Sequence, residues 1–411
     1  MRILQVDKFY DCDLPAAGGA GTYIPVVSRY LAQAGHTVLR FGCAGQGGPP
    51  DMPRFIDYTQ LTSPGEKLAG AVRILHDFAA AQKLESFLNR HQVDVAHVHR
   101  IYHHLTPAVL AVLRRKAAVV MSMRDYRLLC PAKVLVRGGR LCTRCMGHRY
   151  HNCVLFGCTG SRFSAAAVAF ETFFQRFFRR YIENVDVFLC PSAFMAEVLI
   201  RDGFPANKVR VLPNPIEPME IPQPSETGAG TILYVGRLSL EKGNDLMLDL
   251  AQALPDRRVV LVGDGPLGPE LQADLQRRQL TNVELPGHVE HGRLGRYYGE
   301  ADVLVLPSRC LENSPHSMLE GMLAGLCVVA ADHRPIREWI RDRQTGRLFR
   351  SGDSADLAAV VGEVLSSRDD RRRMGAAAAA VVRARHDPAD ITNRLERIYK
   401  QALDLRTAGP G

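Results

Sequence analysis

Two series of short apolar runs, each run followed by a helical pattern, constrain the fold of this chain more than any other feature. Apolar runs bounded by turn residues indicate buried strands, and strands that alternate with helices form parallel sheets covered on both faces. The first series contains RILQV, HTVLRF, VDVAHVH, AAVVMSM and VDVFLC. The second contains TILYVG, RRVVLVGDG, NVELPG, ADVLVLPS and LCVVAAD. We therefore predict an α/β protein with two doubly wound parallel sheets.

The stretch between the two series is rich in proline and glycine, which oppose regular structure. It reads PNPIEPMEIPQPSETGAG, and the chain of 411 residues is long enough for a core on each side of it. We predict a first domain over 1–213, a linker over 214–230 and a second domain over 231–386. Residues 387–411 contain an amphipathic terminal helix. The sequence leaves open which domain this helix packs on, and the first domain is one candidate.

Positive charge is concentrated in the first half of the chain. Residues 1–213 hold 27 Lys and Arg against 15 Asp and Glu. Such a surface favours an acidic partner, such as anionic membrane lipid or a phosphate-bearing acceptor, and plain solubility is the alternative. The start MRILQV reads as a strand rather than a secretory signal, and no apolar run approaches the roughly 18 residues of a spanning helix. We predict a cytoplasmic protein, either free or peripheral at the inner face of the membrane.

We expect no nucleic-acid partner, because no helix-turn-helix, finger or aromatic sheet motif accompanies the basic residues.

Two glutamates, Glu312 and Glu320, lie around the start of a predicted helix in ENSPHSMLEGMLAG. The preceding run ADVLVLPS reads as a buried strand, so the helix begins at the carboxyl edge of a sheet, where ligands bind in open α/β folds. Asn313 or Ser314 can cap this helix, with Pro315 in its first position. Free N–H groups there favour an anionic ligand such as a diphosphate, and a carboxylate can accept hydrogen bonds from vicinal hydroxyls. Two ordinary solvated glutamates are the alternative.

Five segments together carry a resemblance to a known family. ENSPHSMLEGMLAGLCVVA resembles the E-x7-E segment of the retaining GT-B glycosyltransferases of family 4. ILYVGRLSLEKGNDLML, VVLVGDGPL, VELPGHVEHGRLGRYYGEADVLVLPS and DRQTGRLFRSGDSADLA appear in that family's order and spacing. The resemblance implies two Rossmann-like domains that face each other across a cleft. It also implies retaining transfer of a hexose from a UDP-, GDP- or ADP-linked donor to a sugar or lipid-linked sugar acceptor, in the assembly of a cell-surface polysaccharide or glycolipid.

The same resemblance implies roles on the donor side. Glu320 would hold the ribose hydroxyls and Glu312 the transferred sugar. Arg237 and Lys242 would lie on the diphosphate, where fixed cations stabilise the departing phosphate, so no catalytic metal is expected. The loop GGAGTY would close over the donor phosphate, and VGDGPL and PGHVE would surround the base. The remaining donor-side candidates are Gly18, Gly19, Gly263, Gly265, His288, Val289 and Ser314.

One position departs from the family pattern. Many relatives carry His-Asp-Tyr near the transferred sugar, whereas this chain has Arg124 in MSMRDYRLLCP. Arginine cannot act as a general base, but it can hold a phosphate or sugar oxygen, so Arg124 stays a catalytic candidate. It also motivates one alternative, a catalytically silent sugar-nucleotide-binding protein; a GT-B sugar-nucleotide epimerase is the other. On the acceptor side, the resemblance points to His99, His103 and His104 in DVAHVHRIYHHL.

Four of the ten cysteines form the pattern C-x2-C-x7-C-x4-C in an insert at about 130–160: Cys142, Cys145, Cys153 and Cys158. In a cytosolic protein such clustering favours a metal over disulfides. The C-x2-C pair suits tetrahedral zinc, an iron–sulfur cluster would use the same thiolates, and reduced thiols are the third option. We predict a structural zinc ion.

The segment SAAAVAFETFFQRFFRRYIENV is an aromatic helix with arginines beside its apolar face. An interfacial membrane helix has this composition, and so does a core helix whose arginines lie at its rim. We prefer the core helix. The predicted apolar face consists of Ala166, Phe170, Phe173, Phe174, Phe177 and Tyr181.

Overall fold

The computed structural model describes residues 1–10, 19–45, 49–56, 63–138, 140–221 and 230–407. Its strands are β1 (Arg2–Val6), β2 (Thr37–Phe41), β3 (Val95–Val98), β4 (Ala118–Ser122), β5 (Val136–Arg137), β6 (Arg140–Leu141), β7 (Val187–Cys190), β8 (Val209–Val211), β9 (Ile232–Val235), β10 (Val259–Val262), β11 (Val283–Gly287), β12 (Val303–Leu306), β13 (Cys327–Ala331) and β14 (Arg347–Phe349). Its α-helices are α1 (Gly19–Gln33), α2 (Pro64–Leu75), α3 (Phe78–Arg90), α4 (Ala108–Lys116), α5 (His151–Leu155), α6 (Arg162–Phe177), α7 (Arg180–Asn184), α8 (Ala193–Arg201), α9 (Asp245–Ala253), α10 (Gly268–Arg277), α11 (Leu294–Glu300), α12 (His316–Leu323), α13 (Ser354–Ser366), α14 (Arg368–His386) and α15 (Pro388–Thr407).

The chain divides into two structural units. The first comprises Met1–Leu135, Cys142–Pro215 and Pro388–Gly411, and the second comprises Val136–Leu141 and Ile216–Asp387. The short hairpin of β5 and β6, which lies inside the predicted insert, therefore groups with the second unit. The main division falls within the predicted proline-rich linker, whose described residues contribute to both units.

The first unit contains a sheet of six parallel strands in the order β2-β1-β3-β4-β7-β8. The strand order changes direction between β1 and β3, where Ile3 is paired with Val95. Helix α15 packs on this sheet, because Leu395 and Tyr399 lie in the same apolar core as Ile3. The phenol of Tyr399 also lies 2.7 Å from Nδ1 of His97 in β3. The terminal helix is thus part of the first unit.

The second unit contains another six-stranded parallel sheet, in the order β11-β10-β9-β12-β13-β14. This is the 3-2-1-4-5-6 order of dinucleotide-binding folds. Strand β9 is buried on both faces, with Ile232 in one apolar core and Leu233 in the other. The strand order reverses between β9 and β12, so the loops after these two strands leave the same edge side by side. The two sheets confirm the predicted α/β class.

Helix α6 was predicted to bury its phenylalanines and to expose its arginines, but its orientation in the structure is the opposite. Phe170, Phe173 and Phe177 are 56%, 42% and 60% exposed, whereas Arg176 is buried. The guanidinium of Arg176 lies 2.8 Å from the carboxylate of Asp202, and this buried ion pair holds the polar side of the helix inward. The interpretation of α6 as a core helix with arginines at its rim is therefore wrong. Within the described residues, no helix combines the length and apolarity needed to cross a bilayer.

Candidate active site

The loops that follow β9 and β12 are bound to each other at the carboxyl edge of the second sheet. The amide of Arg309 donates to the carbonyl of Glu241 at 2.9 Å. The guanidinium of Arg309 forms a two-point ion pair with Asp245 at the start of α9. Gly243 has a φ of +72°, and a Cβ added there would lie 2.1 Å from the carbonyl oxygen of Pro307. These contacts hold the two loops in a fixed relative position.

Two predicted catalytic residues, Lys242 and Glu312, meet across these loops. Nζ of Lys242 lies 2.6 Å from Oε1 of Glu312, and Oγ of Ser308 donates to the same oxygen at 2.5 Å. Burial alone would lower the pKa of Lys242, but the Glu312 carboxylate outweighs burial and holds that pKa above its ordinary value. The lysine therefore stays a cation, fixed at the point where the strand order reverses.

Arg237 follows β9 on the same edge of the sheet. The backbone of its loop is held by Tyr234, whose phenol donates to the Arg237 carbonyl at 2.8 Å. The Arg237 side chain itself is exposed. An exposed guanidinium can offer several N–H donors in one plane to a phosphate. Arg237 and Lys242 thus supply two cations from one loop.

Helix α12 begins at His316, one residue later than predicted, with Pro315 in the cap position. Among the described residues, no side chain caps this helix by a hydrogen bond. The hydroxyl of Ser314 is buried there and has no hydrogen-bond partner in the described part of the chain. The start of a helix presents N–H groups and the positive end of its dipole. An anionic group fits at this position, beside the loop that carries Glu312.

Glu320 lies further along α12 and is buried by its partners. Its Oε2 accepts a hydrogen bond from the phenol of Tyr298 at 2.9 Å, and its Oε1 lies 3.0 Å from Nε2 of His291. Burial raises the pKa of Glu320, but the hydrogen bond with His291 and the nearby His316 outweigh burial and lower it below its ordinary value. Glu320 is therefore a carboxylate at neutral pH, in an orientation fixed from α11 and the preceding loop.

The pair of His291 and Glu320 should stabilise the fold in a limited pH range. The hydrogen bond to Glu320 raises the pKa of His291, so its contribution is complete below 6.5 and is lost as the pH rises through the raised pKa. The contribution of Glu320, whose pKa is lowered, is complete above 4.5 and is lost as the pH falls through that pKa. We expect His291→Gln to lower the free energy of unfolding by about 0.5 kcal/mol near pH 6 and by less at higher pH, because His291 is half exposed.

Urea denaturation at several pH values measures this difference. The matched background is Glu320→Gln, in which the effect of adding His291→Gln should depend on pH much less, because only burial and Glu217 then act on the pKa of His291, in opposite directions. An undiminished pH dependence in the Glu320→Gln background would show that Glu320 is not the partner that raises this pKa.

Other predicted donor-side residues lie on the same edge of the sheet. Gly263 and Gly265 follow β10, and His288 and Val289 follow β11. His288 is exposed, and Val289 packs against the second apolar core of this unit. A groove of about 930 Å³, a size typical of small-molecule sites, opens beside these last two residues. Its lining includes Glu220, Ile221, His288, Val289 and Tyr297.

Gly263 is required by the close approach of two loops. Its φ is +142°, and a Cβ added there would lie 1.9 Å from the carbonyl oxygen of Gly236. We expect Gly263→Ala to lower the free energy of unfolding by about 2 kcal/mol or more. The control is Gly292→Ala, because a Cβ there meets nothing within 4 Å and the expected change is within about 0.5 kcal/mol. Equal stability of the two variants in thermal unfolding would contradict this reading of the loop.

Arg124 follows β4 in the first unit and is held on three sides. Its Nη1 donates to Oδ1 of Asn214 at 2.9 Å, its Nη2 lies 3.5 Å from Nδ1 of His99, and its guanidinium carbon lies 3.4 Å from the ring centre of Tyr23. His99 is 1% exposed, and its Nε2 lies 2.7 Å from Oε1 of Gln5. Burial, with nearby cationic groups, keeps the pKa of His99 well below its ordinary range. His99 thus supports Arg124 and is not accessible to an acceptor. The prediction that His99 lines the acceptor side is therefore wrong.

The other first-unit candidates are dispersed. His103 Nε2 lies 3.0 Å from the carboxylate of Glu171, and the ring of His104 stacks on a phenylalanine ring with centroids 4.4 Å apart. The structure therefore does not gather the three predicted histidines into one cluster. Of the predicted glycine loop, Gly19 is the first residue of α1, and Gly18 lies outside the described residues.

The cysteines of the insert are free thiols, and two of them share a small core. Cys145 and Cys153 pack with Tyr150 in an apolar cluster. Across the described residues, no three Cys, His, Asp or Glu side chains come together as a group that could hold a metal ion. The four thiols nevertheless lie near one another: burial and then the neighbouring thiols, Cys142, Cys153 and Cys158 among them, raise the pKa of Cys145, and Cys153 is hydrogen-bonded to Cys158. The zinc ion stays a prediction.

Several supporting residues were not predicted. Tyr298 and His291 hold Glu320, and Ser308 holds Glu312, while Asn214 and Tyr23 hold Arg124. Ser308 lies four residues before Glu312 in the same loop, whereas the other four lie far along the chain from the group that they support. Residue type alone gives no signal for such contacts, because many tyrosines and serines carry the same groups.

Comparison with known proteins found two family models that match this chain. The model of the family described as Glycosyltransferase Family 4 matches residues 17–220, and the model described as Glycosyl transferases group 1 matches residues 217–381. A sulfoquinovosyl transferase of Arabidopsis thaliana is 32% identical over 36% of this chain, and this match spans only 29% of that relative.

Solved structures show the same fold at low identity. Sucrose-phosphate synthase from Thermosynechococcus elongatus has a TM-score of 0.71 and 19% identity, over 98% of this chain and 99% of that one. Anabaena HepE in complex with UDP-glucose has a TM-score of 0.67 and 16% identity, over 98% of this chain and all of that one, 100%.

The fold and the site define a two-unit α/β protein of the GT-B type, with cations and carboxylates at the switch point of its second sheet. The two family models together extend over residues 17–381. The chain belongs to the group 1 and family 4 glycosyltransferases.

Proposed function

We propose that this protein is a retaining glycosyltransferase that moves a hexose from a nucleotide-sugar donor to a hydroxyl acceptor. The observation that carries the proposal is the meeting of Lys242 and Glu312 at 2.6 Å where the strand order reverses. Arg237 adds a second cation from the same loop, and Glu320 adds a second carboxylate from α12. Two cations match a diphosphate, and two carboxylates match the hydroxyl-bearing groups at its two ends.

The residues on the donor side suggest how the transfer proceeds. The acceptor hydroxyl attacks the anomeric carbon on the face from which the diphosphate leaves. A new carbon–oxygen bond forms, the bond from the anomeric carbon to the phosphate oxygen breaks, and the hydroxyl proton passes to the departing phosphate. Negative charge develops on that phosphate, and Arg237, Lys242 and the start of α12 stabilise it without a catalytic metal.

The donor is proposed to be a UDP-, GDP- or ADP-linked hexose. The structural neighbour HepE, in complex with UDP-glucose, supports UDP as the first nucleotide to examine. The acceptor is proposed to be a sugar or a lipid-linked sugar, and the product a cell-surface polysaccharide or glycolipid. We further propose that the protein acts in the cytoplasm in peripheral contact with an anionic membrane.

A thermal-shift panel of UDP, GDP, ADP and their common sugar conjugates tests donor binding directly. A shift confined to one base and its sugars supports the proposal and names the donor class. Release of the free nucleoside diphosphate only in the presence of an acceptor then separates transfer from epimerisation. The anomeric configuration of the product, read by NMR, tests retention. No shift with any compound would contradict the proposal.

A catalytically silent sugar-nucleotide-binding protein is the second candidate, and Arg124 favours it. The guanidinium is charged and engaged by Asn214 and His99, so it does not offer the imidazole that many relatives place near the transferred sugar. If Arg124→His gives turnover where the unchanged protein gives none, while donor affinity stays level, the silent reading is correct. Turnover in the unchanged protein rejects it.

We also propose a structural zinc ion for the insert, on the spacing of Cys142, Cys145, Cys153 and Cys158 and on the proximity of their thiols. Among the described residues no three such side chains form a complete metal site, and no chemical step is assigned to this metal. Metal analysis of protein never exposed to chelator decides the question, since a structural site is expected to hold close to one equivalent and fewer than about 0.2 would reject it.

A further inference from the structure

Helix α6 presents a row of phenylalanine rings to solvent. Phe163, Phe170, Phe173, Phe177 and Phe178 are between 42% and 86% exposed, and we call them the aromatic face. The spacing of the first four places them on one side of the helix. Soluble monomers seldom expose large contiguous apolar patches, and those that exist mark surfaces that bind a partner or a membrane.

Polar contacts on the opposite side of α6 keep the rings from turning inward. The carboxylate of Glu171 lies 2.6 Å from Arg127, and the guanidinium of Arg176 lies 2.8 Å from Asp202. All four groups are buried. The side chain of Gln175 also donates to a backbone carbonyl of α2 at 2.8 Å. Rotating the helix to bury the aromatic face would leave these charges unpaired away from water, so the exposure of the rings is fixed by the fold.

Positive charge accompanies the aromatic face. Between Asp125 and Glu171 the sequence has no acidic residue, and three arginines of the first unit in this stretch, Arg144, Arg149 and Arg162, are exposed. Arg162, the first residue of α6, is exposed, and the guanidinium of Arg180 lies 4.9 Å from the ring centre of Phe174. An apolar row with a basic rim complements the acyl boundary and the phosphates of an anionic bilayer. Two copies of such a basic surface would repel each other.

We propose that the aromatic face docks on an anionic phospholipid surface, with its rings in the acyl boundary and the neighbouring arginines at the lipid phosphates. This inference deepens the membrane contact proposed above and rests on it, but it does not depend on donor chemistry. The helix lies on the bilayer rather than through it, because no helix among the described residues can span one. Docking would hold the protein at the surface where a lipid-linked acceptor is found.

Vesicle sedimentation of the full chain tests the docking surface. The vesicles contain phosphatidylcholine alone or phosphatidylcholine with phosphatidylglycerol. We expect binding only to the anionic vesicles, weakened by added salt. The triple variant Phe170→Ser, Phe173→Ser, Phe177→Ser should lose about tenfold or more of the partition coefficient. The control Leu405→Ser removes an apolar side chain that is 43% exposed on α15 and should bind as the unchanged protein does.

Two further measurements keep the outcomes distinct. The thermal shift produced by a donor should be the same in the triple variant and in the unchanged protein, so lost vesicle binding with a retained shift supports docking through this face. Equal binding of the triple variant, or no binding of the unchanged protein to anionic vesicles, overturns the proposal. An unchanged protein that is dimeric in sedimentation equilibrium, with a monomeric triple variant, overturns it in favour of a second copy. If vesicle binding behaves as expected and the donor panel is negative, docking stands and the glycosyltransferase function fails.

Discussion

Replacing Lys242 by methionine should lower the rate of sugar transfer by about a hundredfold or more, since removal of one oriented group that stabilises transition-state charge has this typical cost. Nζ of Lys242 lies 2.6 Å from Glu312 and stays charged, so it needs no reorganisation when charge develops on the departing phosphate. Methionine keeps the apolar stem and removes only the cation. Steady-state kinetics of diphosphate release measure the effect.

The matched control is Lys400→Met, which removes an exposed lysine from α15 and should leave the rate unchanged. Because Glu312 loses its ion-pair partner in Lys242→Met, thermal unfolding of that variant is measured alongside the kinetics. Full turnover in a folded Lys242→Met protein would show that the leaving phosphate is stabilised elsewhere.

Glu320→Gln should weaken binding of the nucleotide by about tenfold or more, whether or not a sugar is attached. The proposed partner of Glu320 is the ribose, and hydrogen bonds to a charged acceptor contribute about 1.5 to 3 kcal/mol. Glutamine keeps the shape and can still accept from Tyr298, which limits the effect on the fold. By contrast, Glu312→Gln should weaken binding of the nucleotide sugar more than that of the free diphosphate, because its proposed partner is the transferred sugar.

Calorimetric titration of both variants with a nucleoside diphosphate and with its sugar conjugate distinguishes the roles of the two carboxylates. The same loss for both ligands in Glu320→Gln, and a larger loss for the conjugate in Glu312→Gln, is the expected pattern. The reverse pattern would exchange the roles of the two glutamates, and unchanged affinities would remove both from the donor site.

The sequence predicted the sheet class because buried parallel strands are continuous apolar runs, and β9 and β12 are of this kind. It also predicted that the helix start beside Glu312 lies at the carboxyl edge of a sheet, because a buried strand precedes it, whereas the assignment of Arg237 and Lys242 to the diphosphate came from the family resemblance. What it could not predict was the pairing of Lys242 with Glu312, because the two residues belong to separate loops whose spacing depends on the whole sheet.

Helix α6 shows why periodicity alone misassigned a surface. An apolar stripe indicates which residues share a face, but not which face is buried. Here two buried ion pairs decide the orientation, and the partners of Glu171 and Arg176 lie outside the helix, at Arg127 and Asp202. For the insert, the spacing of the cysteines predicts a metal site, and this stays a prediction.

We propose that Arg237, Lys242 and the start of α12 bind the diphosphate of an activated sugar. Calorimetric titration of Arg237→Ala with UDP-, GDP- and ADP-linked hexoses measures this binding, with Arg397→Ala on α15 as the exposed control. We expect one donor class to bind the unchanged protein and the control equally, and to bind Arg237→Ala at least about tenfold more weakly. Identical titrations of Arg237→Ala and the unchanged protein with every compound would contradict it.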